Sequence, residues 1–162
     1  KLSIKGGLAY VARCFDTCRR EKHNKKAVEK ATTEIIKGAE MRFLVVDDDL
    51  AFNEEVSLAI ASLGHTVDGR AFDGDSAVKM FSLNPCAFDV VAMDVIMPNE
   101  NGILAAEKMM RLNPKIKILL MSRDWTNQSL IPDYANMRFL RKPIGAEEIR
   151  KELELMSADG GC

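Results

Sequence analysis

From Met41 onward the chain alternates between two hydrophobic rhythms. Short segments dominated by apolar residues read as strands: "RFLVV" (42–46), "AFDVVAM" (87–93), "KIKILLMS" (115–122) and "RFLRKP" (138–143), with "HTVDGR" (65–70) as a weaker one. Between them, apolar residues recur at helical spacing. Phe52, Val56, Ala59, Ile60 and Leu63 form one stripe, and Gly64 supplies a C-terminal stop. "DGDSAVKMFSLNP" (73–85) offers an acid-capped start at Asp73 or Asp75 and a proline exit. Gly102 opens a helix with Ala105, Met109 and Leu112 on one face, closed by Asn113-Pro114, and a last helix carries Ile149, Leu153 and Met156. The stretch "RDWTNQSLIPDYAN" (123–136) has poor periodicity and is interrupted by Pro132, which predicts a short or irregular fourth helix.

Strand–helix alternation with strands apolar throughout predicts an α/β fold, a doubly wound five-stranded parallel sheet with helices on both faces. Residues 1–40 form a separate segment. Their apolar stripe of Leu8, Val11, Phe15 and Cys18 is followed by the polar "RREKHNKK" and then by Val28, Ala31 and Ile35. Two short helices, or one long helix whose stripe shifts phase, both fit. Charge marks the same boundary: residues 1–40 hold ten Lys/Arg against five Asp/Glu, and the rest holds thirteen against nineteen. The division expected is therefore a basic helical extension (1–40), a core domain (41–157) and a short tail (158–162).

Apolar residues at 47% and charged residues at 29% describe an ordinary globular protein. No apolar run approaches the roughly 18 residues of a membrane span, no signal-peptide core is present, and four unevenly spaced cysteines do not suggest a disulfide framework. A cytoplasmic location and no membrane partner are expected. The opening on Lys1 is what a processed or truncated piece would show.

In an open parallel sheet, functional groups gather at the carboxyl ends of the strands. Here those ends carry Asp47, Asp48 and Asp49, then Asp94, Ser122 and Lys142. Right-handed winding makes the first, third and fourth strands neighbours, so carboxylates, a hydroxyl and an ammonium would meet at one rim. Clustered carboxylates repel one another unless a cation lies between them, and an all-oxygen donor set suits Mg²⁺. A carboxylate is also able to act as nucleophile and form an acyl phosphate, with Mg²⁺, lysine and a hydroxyl stabilising the spread charge. Each residue alone has a plainer reading: "DDD" as a solvated strand end or helix cap, Asp94 as the start of a turn.

The set "FLVVDDD", "MDVIMPNENG", "LLMS" and "FLRKP" resembles the receiver domain of bacterial two-component response regulators over about residues 41–157. The resemblance implies a flavodoxin-like (βα)5 fold in which Asp94 accepts phosphate from a histidine kinase or a phosphotransfer protein. Asp48 would bind Mg²⁺ directly, Asp47 through water, and the Ile96 backbone carbonyl would complete the protein ligands alongside Asp94. Ser122 would bond the phosphoryl oxygen, Lys142 would pair with Asp94 and then with the phosphate, and the Lys142–Pro143 peptide would be cis. Four features depart from the family. Arg123 follows the hydroxyl position where a small residue is usual and could obstruct the donor or add a phosphate contact, and Ile96 stands where it could hinder the hydrolytic water and slow autodephosphorylation. Phe139 occupies the aromatic switch position without a hydroxyl, and the fourth helix is weak.

Only "SADGGC" follows the last helix, so no DNA-binding output domain is expected after it; signalling would pass through an unknown output protein or through residues 1–40, which could pair in a homodimer. Nucleic-acid binding is unsupported, because no aromatic platform accompanies the basic run. Cys14, Cys18 and His23 could approach one another on a helix, but a buried thiol pair and a solvated histidine explain them as well. Two rival functions remain: a pseudo-receiver that binds without phosphorylation, and a haloacid-dehalogenase-type phosphohydrolase using Asp47 and Asp49. The second lacks the Thr or Val of its motif, since Ala51 stands there, and no Asp follows Lys142 before Asp159.

Overall fold

The computed structural model describes residues 40–98 and 100–158. The expectations placed on residues 1–39, including the helical extension and the Cys14, Cys18 and His23 grouping, lie outside the described residues. So does the tail beyond Ala158.

Five parallel strands form one sheet in the order β2-β1-β3-β4-β5. They are β1 (Arg42–Val46), β2 (Thr66–Ala71), β3 (Val90–Asp94), β4 (Lys117–Ser122) and β5 (Met137–Arg141). Four α-helices connect or follow them: α1 (Leu50–Ser62), α2 (Gly74–Leu83), α3 (Gly102–Leu112) and α4 (Ala146–Ala158). Between β4 and β5 stands only a 3₁₀ helix, Trp125–Leu130, in the segment whose periodicity was poor.

The alternation of side chains along a strand sorts the core into two layers. Phe43 and Val45 of β1, Val90 and Ala92 of β3, and Leu119 and Met121 of β4 pack against Phe52, Val56 and Ile60 of α1 and against Ile149, Leu153 and Met156 of α4. Their sequence neighbours Leu44, Val46, Val91, Met93, Ile118 and Leu120 face the opposite way, onto Ala77 and Phe81 of α2 and Ala105, Ala106 and Met109 of α3. Three central strands covered on both faces therefore carry apolar residues at every position except their ends. The edge strands do not: β2 and β5 are only partly buried, which corrects the expectation of apolar strands throughout. A second correction concerns α3, where Leu112 is 49% exposed and Ala106 takes its place in the core.

Helix ends follow local chemistry. The side chain of Asp49 accepts from the N–H groups of Ala51 and Phe52 at the start of α1, and Asp73 and Asn101 do the same for α2 and α3. Just past α1, Gly64 has φ of 81°, a left-handed conformation that suits glycine. The third strand starts at Val90 rather than Ala87; just before it, the Asp89 carboxylate accepts from the backbone N–H and guanidinium of Arg42 (2.8–3.0 Å).

Candidate phosphoacceptor site

The sheet order brings the ends of β1, β3 and β4 side by side. Asp47 follows β1, Asp94 ends β3 and Ser122 ends β4, with Asp94 opposite Met121 in the β3–β4 register. One carboxylate oxygen each from Asp47, Asp48 and Asp94 lies within 4.8 Å of the other two. Lys142 reaches in from the residue after β5: its Nζ is 2.6 Å from Asp47 Oδ2 and 3.2 Å from Asp94 Oδ2. The Lys142 N–H also donates to the Ser122 carbonyl at 2.9 Å, which ties the two strand ends together. The Lys142–Pro143 peptide is cis, as the resemblance implies.

The three acids differ in their surroundings. Asp47 is fully buried and both its oxygens are engaged, Oδ1 by the Asp49 N–H at 3.0 Å and Oδ2 by Lys142. A buried charge of this kind needs such partners. Asp48 is exposed and takes part in neither contact. Asp49 turns away to cap α1, so the plain reading of "DDD" holds for its third member. Asp94 is buried, and burial pushes its pKa above the usual carboxyl value; Lys142 opposes that shift, Asp47 reinforces it, and a bond from the Ile96 N–H opposes it. The Ile96 side chain itself is 61% exposed.

Three carboxylates and one ammonium leave two negative charges in excess, so the donor set fits a hard divalent cation such as Mg²⁺. Asp48 has oxygens to give, whereas the engaged oxygens of Asp47 suit contact through water. Ser122 is buried at the same rim, and its Oγ accepts from the Asp124 N–H at 3.2 Å.

Two contributors were not found from the sequence, Phe52 and Gly102. The ring of Phe52 lies 4.2 Å from Lys142 Nζ, a cation–π contact that holds the ammonium from below; its helical spacing had marked it only as core. Gly102 permits the β3–α3 turn, because a Cβ there would lie 2.0 Å from the Asp94 carbonyl oxygen. Arg123 pairs with Asp49 across the rim at 3.5 Å. Elsewhere, Cys86 is an exposed free thiol, and among the described residues no helix is long and apolar enough to cross a membrane.

Comparison with known proteins bears on the family and the fold. A family model described as the response regulator receiver domain matches residues 43–154. The chemotaxis protein CheY of Treponema pallidum is 33% identical over 85 residues, covering 52% of this chain and 59% of that protein. CheY of Thermotoga maritima is 37% identical over 82 residues, covering 50% of this chain and 66% of that protein. The matched segment thus spans less than two thirds of either relative. A chain of the CheX–CheY–BeF3–Mg complex from Borrelia burgdorferi superposes with a TM-score of 0.64 at 23% identity, over 73% of this chain and 88% of that one. That likeness speaks for the fold. The chain belongs to the response regulator receiver domain family of two-component signalling.

Proposed function

We infer that this receiver is phosphorylated on Asp94 and signals through protein–protein contacts. The donor is a phosphohistidine on a histidine kinase or phosphotransfer protein in the cytoplasm. Asp94 attacks the phosphorus, the P–N bond breaks, and the imidazole leaves with the bonding electrons. Asp48, Asp94 and the Ile96 backbone carbonyl would hold Mg²⁺, and Asp47 would contribute through water. Mg²⁺, when bound, offsets the charge that collects on the phosphoryl oxygens. Lys142 moves its pairing from Asp94 to the phosphoryl group, and the Ser122 hydroxyl donates to another oxygen.

The observation that carries this reading is the position of Lys142 Nζ, 2.6 Å from Asp47 and 3.2 Å from Asp94 in a cluster whose carboxylate oxygens lie within 4.8 Å. Incubation with Mg²⁺ and acetyl phosphate, followed by intact mass, tests it. The wild type should gain one phosphoryl mass and Asp94→Asn should gain none. No gain in the wild type would favour the pseudo-receiver reading, in which the same fold binds a partner without phosphorylation. A label that persists in Asp94→Asn and maps to Asp47 would favour a hydrolase.

A further inference from the structure

Besides Lys142, the rim carries a second cation that phosphoacceptor chemistry as described leaves unused. Arg123 directly follows Ser122 at the end of β4, its side chain is 77% exposed, and its Nη2 lies 3.5 Å from Asp49 Oδ2. Asp49 belongs to the loop after β1. Because β3 lies between β1 and β4, the pair spans the end of the strand that carries Asp94. Neighbouring strands lie about 4.8 Å apart, so strands β1 and β4 are separated by roughly 10 Å, a gap that an arginine and an aspartate can bridge together.

The link is a loose one. Its distance is long for a charge-assisted bond, and both side chains face solvent, at 77% and 45% exposure. Asp49 is positioned independently of it, since its Oδ1 accepts from Ala51 and Phe52 at the start of α1. The guanidinium is thus parked beside the pocket by a partner that holds it weakly. Lys142, by contrast, is buried and bound to two carboxylates.

We propose that Arg123 is a phosphoryl-binding residue, held in reserve by Asp49 and transferred to the phosphoryl oxygens once Asp94 is modified. This rests on Asp94 being the phosphoacceptor. A phosphoryl group brings nearly two negative charges and three acceptor oxygens. A planar guanidinium matches that geometry with two parallel donors, where the single exposed carboxylate of Asp49 offers less. The transfer carries Arg123 from β1 to β3, so the loop after β4 moves with the state of Asp94.

Calorimetric titration of the full chain with beryllofluoride in saturating Mg²⁺ tests the proposal on wild type, Arg123→Ala, Asp49→Asn and the double variant. Asparagine caps a helix as well as aspartate, so Asp49→Asn leaves the start of α1 intact. Arg123→Ala should weaken binding by about tenfold, the size of one charge-assisted contact at a part-exposed site. Asp49→Asn should tighten binding when Arg123 is present and have a smaller effect when it is absent. Equal or tighter binding by Arg123→Ala would mean that the side chain obstructs the pocket, and the proposal would be wrong while the Asp94 assignment stood. An equal gain from Asp49→Asn in both backgrounds would also overturn it, since Asp49 would then act by repelling the anion and not by holding Arg123. Failure of the wild type to bind beryllofluoride would remove the Asp94 assignment and this proposal together.

Discussion

Burial raises the pKa of Asp94, and Lys142 only partly offsets the effect before Asp47 adds to it. Between the ordinary carboxyl value and the raised one, the folded protein holds a proton that the unfolded chain has released. Stability therefore falls as pH rises through that interval. Above it Asp94 is ionised in both states and the full cost is present, so Asp94→Asn should melt at a higher temperature than wild type at neutral pH without divalent ions. The gap should close on acidification below the ordinary carboxyl range. Thermal melts across pH would show this, and a lower melting temperature for the variant at neutral pH would mean that the Lys142 pairing outweighs burial. Gly102 sets a different constraint. With a Cβ 2.0 Å from the Asp94 carbonyl oxygen, Gly102→Ala must displace the β3–α3 turn, at a cost of about 2–3 kcal/mol in denaturant unfolding. The same shift should weaken Mg²⁺ binding, because it moves Asp94 and Ile96. In the sequence Gly102 signalled only a helix start; the close approach that requires glycine comes from a strand end eight positions earlier.

At the scale of elements, sequence patterns located the four α-helices among the described residues but did not fix the phase of each. In α3, Ala105, Met109 and Leu112 make one plausible stripe, yet the core takes Ala105, Ala106 and Met109. A helix lying against a sheet buries the arc that the strand ends allow, and at the last turn of α3 that arc passes Leu112. Met109→Ala should therefore cost about 2–5 kcal/mol, whereas Leu112→Ala should stay within about 0.5 kcal/mol. Chemical denaturation of the two variants checks the phase directly, and comparable losses would restore the simpler stripe. The edge strands show a similar limit. Their mixed composition made β2 look weak, and the reason is position in the sheet: one side of each is unpaired, and neither face is fully covered. The segment 123–136 was legible as a weak helix because Pro132 and the lack of a stripe leave nothing to bury, and a 3₁₀ turn capped by Asp124 fills it.

For the molecule as a whole, the strand order was legible because right-handed crossovers leave few arrangements for alternating strands and helices. That order also predicted the convergence of Asp47, Asp48, Asp94 and Lys142, which sit at strand ends wherever the helices pack. The division of labour within "DDD" was not legible. It depends on α1 starting at Leu50, which assigns Asp49 to its cap and leaves Asp47 turned inward. Nor did spacing reveal Phe52 beneath Lys142, because a core position and a cation–π platform look alike in one dimension. What unites these observations is one acidic pocket able to hold a divalent cation beside Asp94, and amide NMR during Mg²⁺ titration tests that most directly. The account predicts saturable shifts centred on residues 47–49, 94–97 and 122–123, abolished in Asp48→Asn. Shifts located elsewhere, or undiminished in that variant, would contradict it.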